Sequence, residues 1–83
     1  MSDVSITLYT RENCHLCDEA LTTIRRVADE TGTGVDVETI DVDTDPQLRA
    51  EYGDRVPYVV VDGRPAFKYR IDDEEIRSLF AEA

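Results

Sequence analysis

Six apolar residues at helical spacing, set directly behind an alternating run, constrain this chain more than any other feature. Cys17, Ala20, Leu21, Ile24, Val27 and Ala28 recur at i, i+3, i+4 and i+7. On a 3.6-residue repeat they share one face, which predicts a helix over about His15–Thr31 with that face buried. Gly32 is placed to end it in a left-handed cap, and either Asn13 or Cys14 is placed to cap its start. Ahead of it, Val4, Ile6 and Leu8 alternate with Ser5 and Thr7. That period of two predicts a strand over Val4–Tyr9. Thr10-Arg11-Glu12-Asn13 is then a polar turn joining strand to helix.

The rest of the chain extends this unit. Val35–Val42 reads as a second strand. Val35 and Val37 alternate, but Ile40 and Val42 fall out of phase, which calls for a bulge or for burial of the later half on both faces. A strand, a helix and a strand in this order predict a right-handed parallel crossover. A short helix opens at Thr44-Asp45-Pro46-Gln47, with its cap ambiguous by one residue. Leu48 and Tyr52 supply its apolar side, and Gly53 ends it. Tyr58–Val61 is a short apolar strand, and Asp62-Gly63 is a two-residue hairpin signal. The return strand is expected from about Ala66 to Arg70, on the sheet edge, with Pro65 at its start. Asp72 and Glu75 form a capping box for a last helix that buries Ile76, Leu79 and Phe80. The order is β-α-β-α-β-β-α: one α/β domain over 1–83, with a mixed four-stranded sheet and helices on both faces.

Composition narrows the function. Nineteen acidic residues against nine basic ones leave a formal charge of −10, which argues against nucleic acid as a partner. No run approaches the roughly 20 apolar residues of a membrane span. Met1-Ser2-Asp3 lacks the basic and apolar regions of a secretory leader, so a cytoplasmic location is expected.

The chain has two cysteines and one histidine, all within Cys14-His15-Leu16-Cys17. A disulfide here closes too small a loop to stabilise the fold much, so chemistry explains the pair better than stapling. A thiolate at Cys14 would sit at the positive end of the helix dipole, among free N–H groups, which lowers a cysteine pKa from its usual ~8.5. Cys17 lies three residues on, within disulfide reach and on the buried stripe. The asymmetry suggests Cys14 as attacking sulfur and Cys17 as resolving sulfur. Arg11, in the same turn, is a permanent charge that favours the thiolate, unless it is simply a solvated loop residue. Glu12 and Asp18 oppose it. His15 either tunes the site or fills a loop position. Zinc would need a second ligand pair that the chain lacks. Haem attachment would need a histidine where Asp18 stands. Val56-Pro57 opens the third strand. A cis bond there would leave the Val56 backbone free for an extended peptide, although a trans proline at a strand start is the commoner arrangement.

Taken together, Tyr9-Thr10-Arg11-Glu12-Asn13-Cys14-His15-Leu16-Cys17, then helix, strand, helix, Val56-Pro57, strand and Gly63, resembles a glutaredoxin from Ile6 to Phe80. The resemblance implies a thioredoxin-type fold with strand order 2-1-3-4 and a cis Pro57 beside the dithiol. It implies a thiol–disulfide oxidoreductase in which Cys14 attacks a disulfide or glutathione mixed disulfide and Cys17 resolves the intermediate. It implies that Arg11, His15, Arg55, Val56, Pro57 and Arg70 face the substrate. No bound cofactor or metal is expected; glutathione or another low-molecular-weight thiol would be co-substrate. The expected partners are a disulfide-bearing protein or small-thiol mixed disulfide and a reducing system, with the chain a monomer. Three positions depart from the pattern. His15 replaces the usual proline, Arg55 replaces a frequent threonine, and Tyr69-Arg70-Ile71-Asp72-Asp73 replaces a Gly-Gly pair whose backbone helps hold glutathione. Glutathione, a different thiol and a protein disulfide therefore stay open as substrates. Tyr58, Phe67 and Tyr69 are candidates for a groove or for simple packing. A different class of function is a non-catalytic module that binds a metal or iron–sulfur cluster between two chains, or that senses redox state.

Overall fold

The computed structural model describes residues 4–82. The segment Met1-Ser2-Asp3, on which the leader argument turns, lies outside them. The elements are β1 (Val4–Thr10), α1 (His15–Thr31), β2 (Val35–Asp41), a 3₁₀ turn (Val42–Thr44), α2 (Pro46–Tyr52), β3 (Tyr58–Val61), β4 (Arg64–Lys68) and α3 (Asp73–Glu82). Strands are ordered β2-β1-β3-β4. β1 and β2 are parallel, and the other two pairs are antiparallel. This is the mixed sheet and the strand order that the resemblance implied.

The core forms where the two periodicities meet. Val4, Ile6 and Leu8 of β1 project to one side of the sheet. There they pack with Ala20, Ile24, Val27 and Ala28 of α1, Val59 and Phe67 of the hairpin, and Ile76 and Phe80 of α3. Ile6, Leu8, Ile24 and Ile76 are almost completely buried, each worth roughly 1.5–3 kcal/mol of transfer free energy. The alternate residues Tyr9 and Tyr58 lie directly across from each other on the other face. Tyr52 of α2 stacks on Tyr9 with ring centroids 4.2 Å apart. α1 and α3 thus share one face, and α2 covers part of the other.

Local signals set the ends. Gly32 caps α1 at φ 66°. The Asp62-Gly63 turn has positive φ at both residues, the type I′ geometry that matches strand twist. Asp62 also fixes the hairpin to β1: its carboxylate accepts from the Ser5 N–H at 2.9 Å, and its own N–H donates to the Ser5 carbonyl at 2.7 Å. Asp72 caps α3 by accepting from the N–H groups of Glu74 and Glu75. The ambiguous cap of α2 is Asp45, which accepts from the Gln47 N–H and puts Pro46 first in the helix. Thr44 instead bonds back to the Asp41 carbonyl.

Three expectations are corrected. β2 has neither a bulge nor a half buried on both faces. Its register with β1 is one-to-one from Val35 to Asp41, and Thr39 is exposed. The phase break arises because Val35 and Val37 pack toward the core, whereas Ile40, opposite Tyr9, lies on the tyrosine side. Val42, fully buried, has already left the strand for the 3₁₀ turn. β4 starts at Arg64, directly after the turn, so Pro65 is its second residue and a register shift separates Val59 from Val60. Leu79 is 36% exposed rather than buried; it borders a groove with Val61, Pro65 and Ala66. No helix among the described residues is long and apolar enough to cross a membrane.

Candidate functional site

The join between β1 and α1 decides the state of the sulfurs. Asn13 takes a left-handed conformation at φ 57°, which asparagine tolerates better than most residues. The chain then enters α1 through Cys14, whose extended backbone makes it the N-cap. Its Sγ accepts the Cys17 N–H at 3.1 Å. Of the two candidate caps, the side chain that does the work is therefore a sulfur. Cys14 and Cys17 form a disulfide, with Cα atoms 5.2 Å apart. Cys17 is 2% exposed, in the buried stripe, while Cys14 is partly exposed. Only one sulfur faces an incoming reactant.

The charged residues around this turn are less free than their sequence positions suggest. Nε and Nη2 of Arg11 donate to the two carboxylate oxygens of Asp43, and Nη1 donates to the Gly53 carbonyl at 3.0 Å. That bidentate pair raises the guanidinium pKa above its ordinary value, through the hydrogen bond to Asp43 first and its charge second. His15 is exposed, with Nε2 3.5 Å from a Glu19 oxygen one helical turn on. Asp43 and Gly53 were invisible as site residues in the sequence. Asp43 is one of three aspartates in Asp41-Val42-Asp43-Thr44-Asp45, and nothing local marks it as the partner of a residue 32 positions earlier.

On the far side of the site the Val56-Pro57 bond is cis, and Pro57 is buried. The Pro57 carbonyl accepts the Tyr69 N–H at 2.8 Å, docking the β4–α3 loop against the proline. Tyr69 has φ 68°, and across it the Arg70 N–H bonds the Lys68 carbonyl at 2.7 Å. This is a γ-turn with a left-handed central residue, a strained form found where a side chain must be aimed. It leaves the Tyr69 ring 46% exposed. Between this loop and the start of α1 lies a groove of about 500 Å³, bordered by His15, Leu16, Glu19, Thr23, Tyr69 and Arg70. Of the three aromatic candidates, Tyr69 reaches the groove, Phe67 is core, and Tyr58 belongs to the tyrosine cluster. The structure thus gathers His15 and Arg70 at one groove. Arg11 lies on the Asp43 side, and Arg55 and Val56 are in the segment that leads into Pro57.

The sequence pattern described as Glutaredoxin-like domain (DUF836) runs through residues 5–81. The chain belongs to that glutaredoxin-like family. An uncharacterized Mycobacterium tuberculosis protein is 36% identical over 83 residues, covering 94% of this chain and 84% of that protein. A Methanocaldococcus jannaschii protein named thioredoxin is 40% identical over 68 residues, 81% of this chain and 80% of that one. A solved structure from X. campestris, 30% identical, superposes with a TM-score of 0.71 over 94% of this chain and 97% of that chain. The fold is thioredoxin-like, and the glutaredoxin-like pair Cys14 and Cys17 stands at disulfide distance. Its β4–α3 loop, Tyr69-Arg70-Ile71-Asp72, carries one aromatic and two charged side chains.

Proposed function

We propose that this glutaredoxin-like chain is a thiol–disulfide oxidoreductase that works by exchange through Cys14. The observation that carries the reading is the inequality of the two sulfurs at the end of one helix. Cys14 is the partly exposed N-cap, with its Sγ on the Cys17 N–H, and Cys17 is buried. An N-cap sulfur gains as thiolate, because the N–H and the helix dipole favour negative charge. In the reduced protein the Cys14 thiolate attacks a substrate disulfide. A new sulfur–sulfur bond forms, the substrate bond breaks, and one substrate thiolate leaves and takes a proton from water. Cys17, once deprotonated, attacks Cys14 Sγ, closes the internal disulfide and releases the second substrate thiol. Two electrons have passed to the substrate. A low-molecular-weight thiol or a reductase returns them by the reverse exchange.

The groove between α1 and the β4–α3 loop supports a polypeptide or small-thiol disulfide as substrate, with Leu16 and Tyr69 offering exposed apolar contact beside Arg70. The reading suits a reducing, cytoplasmic setting. The test uses Cys17→Ser, which leaves Cys14 as the single thiol. Its alkylation rate against pH should give an apparent pKa below about 7.5. The same variant should retain a mixed disulfide on Cys14 when purified from cells, identified by mass spectrometry. An apparent pKa at or above ~8.5 with nothing trapped would sink the proposal.

A further inference from the structure

Arg11 lies three residues before Cys14, and its guanidinium is engaged by the protein's own acceptors. The planar fork meets Asp43 with Nε at 3.1 Å and Nη2 at 2.9 Å, and Nη1 reaches the Gly53 carbonyl at 3.0 Å. These contacts join the loop that ends at Cys14 to the segment that runs from Gly53 into Val56-Pro57. One guanidinium thus ties the loop that carries Cys14 to the segment that leads into Pro57. A carboxylate borne by a thiol bound at Cys14 would seek a cation there, and Asp43 already holds it. Both side chains are 38% exposed, so a carboxylate from solution can reach them. Asp41 and Asp54 add to the negative field around the same guanidinium. Arg49 approaches Asp43 only at 4.0 Å. By contrast, Arg55 and Arg70 make no ion pair within 4.0 Å among the described residues.

We propose that Asp43 is a specificity-determining residue: a built-in carboxylate that occupies Arg11 and biases Cys14 against small thiols that carry carboxylates. The inference rests on Cys14 being the attacking sulfur. An anionic thiol must displace Asp43 or forgo the guanidinium. A neutral thiol meets no such competition, and a protein disulfide can use the groove at Tyr69 and Arg70 instead. The chemical step is the same for both. The Cys14 thiolate attacks, one sulfur–sulfur bond is exchanged for another, and one thiolate leaves.

The test compares two probe disulfides, oxidised glutathione (anionic) and bis(2-hydroxyethyl) disulfide (neutral). Each is equilibrated with Cys17→Ser protein, and the Cys14 adduct is measured by mass spectrometry. Asp43→Asn should raise the glutathione-to-hydroxyethyl adduct ratio by about three- to tenfold, the range expected for one partly exposed, charge-assisted contact. Adding Arg11→Gln to that variant should remove the gain. A ratio unchanged by Asp43→Asn, or a gain that survives Arg11→Gln, overturns the proposal. Asp43→Ser gives an independent check if Asp43→Asn does not fold. Its ratio should rise in the same way, and an unchanged ratio would equally overturn the proposal. Adduct formation at equilibrium needs no turnover. Loss of the oxidoreductase reading would show instead in the Cys14 alkylation profile.

Discussion

Tyr52 illustrates what a single residue does in this fold. Its ring stacks on Tyr9 at 4.2 Å and tilts against Tyr58 at 5.0 Å, contacts worth about 0.5–1.5 kcal/mol each beyond area burial. Burial in that cluster, with the Tyr9 phenol beside it, raises the Tyr52 pKa above its usual value of about 10. The consequence for stability has a definite sign. Below pH ~10 the phenol is protonated in both folded and unfolded chains, and no linkage arises. Above it the unfolded chain releases the proton first, so stability falls as pH climbs from about 10 through the folded value. Urea denaturation of Tyr52→Phe against the parent should therefore show a difference in stability that is constant below pH 9.5 and shrinks above pH 10. A difference independent of pH would mean the phenol is not desolvated. None of this was legible in the sequence. The sequence marks Tyr52 only as an apolar residue of α2, and its partners come from β1 and β3.

Elements behave more predictably than residues, because their signals are short-ranged. The end of α1 was readable from Gly32 and its start to within one residue, Asn13 or Cys14, since a cap involves only the nearest turn. Gly32 sits at φ 66° with open space around its missing side chain. Gly32→Ala should therefore cost only the left-handed conformation, about 1 kcal/mol. It should appear as a lower urea midpoint with unchanged slope, and a shift of 3 kcal/mol or more would mean that packing is involved. β2 shows where short-range reading stops. Its alternation breaks after Val37 because two faces of one sheet use it: Val35 and Val37 serve α1, and Ile40 serves the tyrosines. Leu79 fails for a related reason. Its spacing fits the buried stripe of α3, but α3 packs on α1 through Ile76 and Phe80, and Leu79 lies at the margin. The seam is closed instead by Arg26 on Asp73 at 2.7 Å and Arg77 on Glu30 at 2.9 Å.

For the molecule as a whole, charge is the dominant condition. A formal charge of −10 is carried on a body 36 × 23 × 15 Å across. At low ionic strength the screening length is comparable with these dimensions, so like charges repel across the whole surface. Sodium chloride raised from about 0.01 to 0.5 M should increase the thermal midpoint by several degrees, since ~1 kcal/mol moves a domain of this size by about 4–8 °C. Circular dichroism melts would show it. A falling midpoint would mean that the ion pairs at Arg11, Arg26 and Arg77 outweigh the repulsion.

The sequence by itself determined the strand–helix unit, the hairpin at Asp62-Gly63, the caps at Gly32 and Asp72 and the inequality of Cys14 and Cys17. Each depends on side chains and backbone within about a helical turn, so each is written in consecutive residues. Family resemblance added the strand order and the cis Pro57, which local reading alone did not favour. Tertiary structure decided the rest. It gave Arg11 to Asp43 across 32 residues, set Tyr69 at the groove through the Pro57 carbonyl, and turned Ile40 and Leu79 from their expected places. The stripe of α1 persists because every partner it meets is apolar. The surroundings of Cys14 could not be read locally, because the groups that hold Arg11 there, the Asp43 carboxylate and the Gly53 carbonyl, lie on segments that only folding brings alongside.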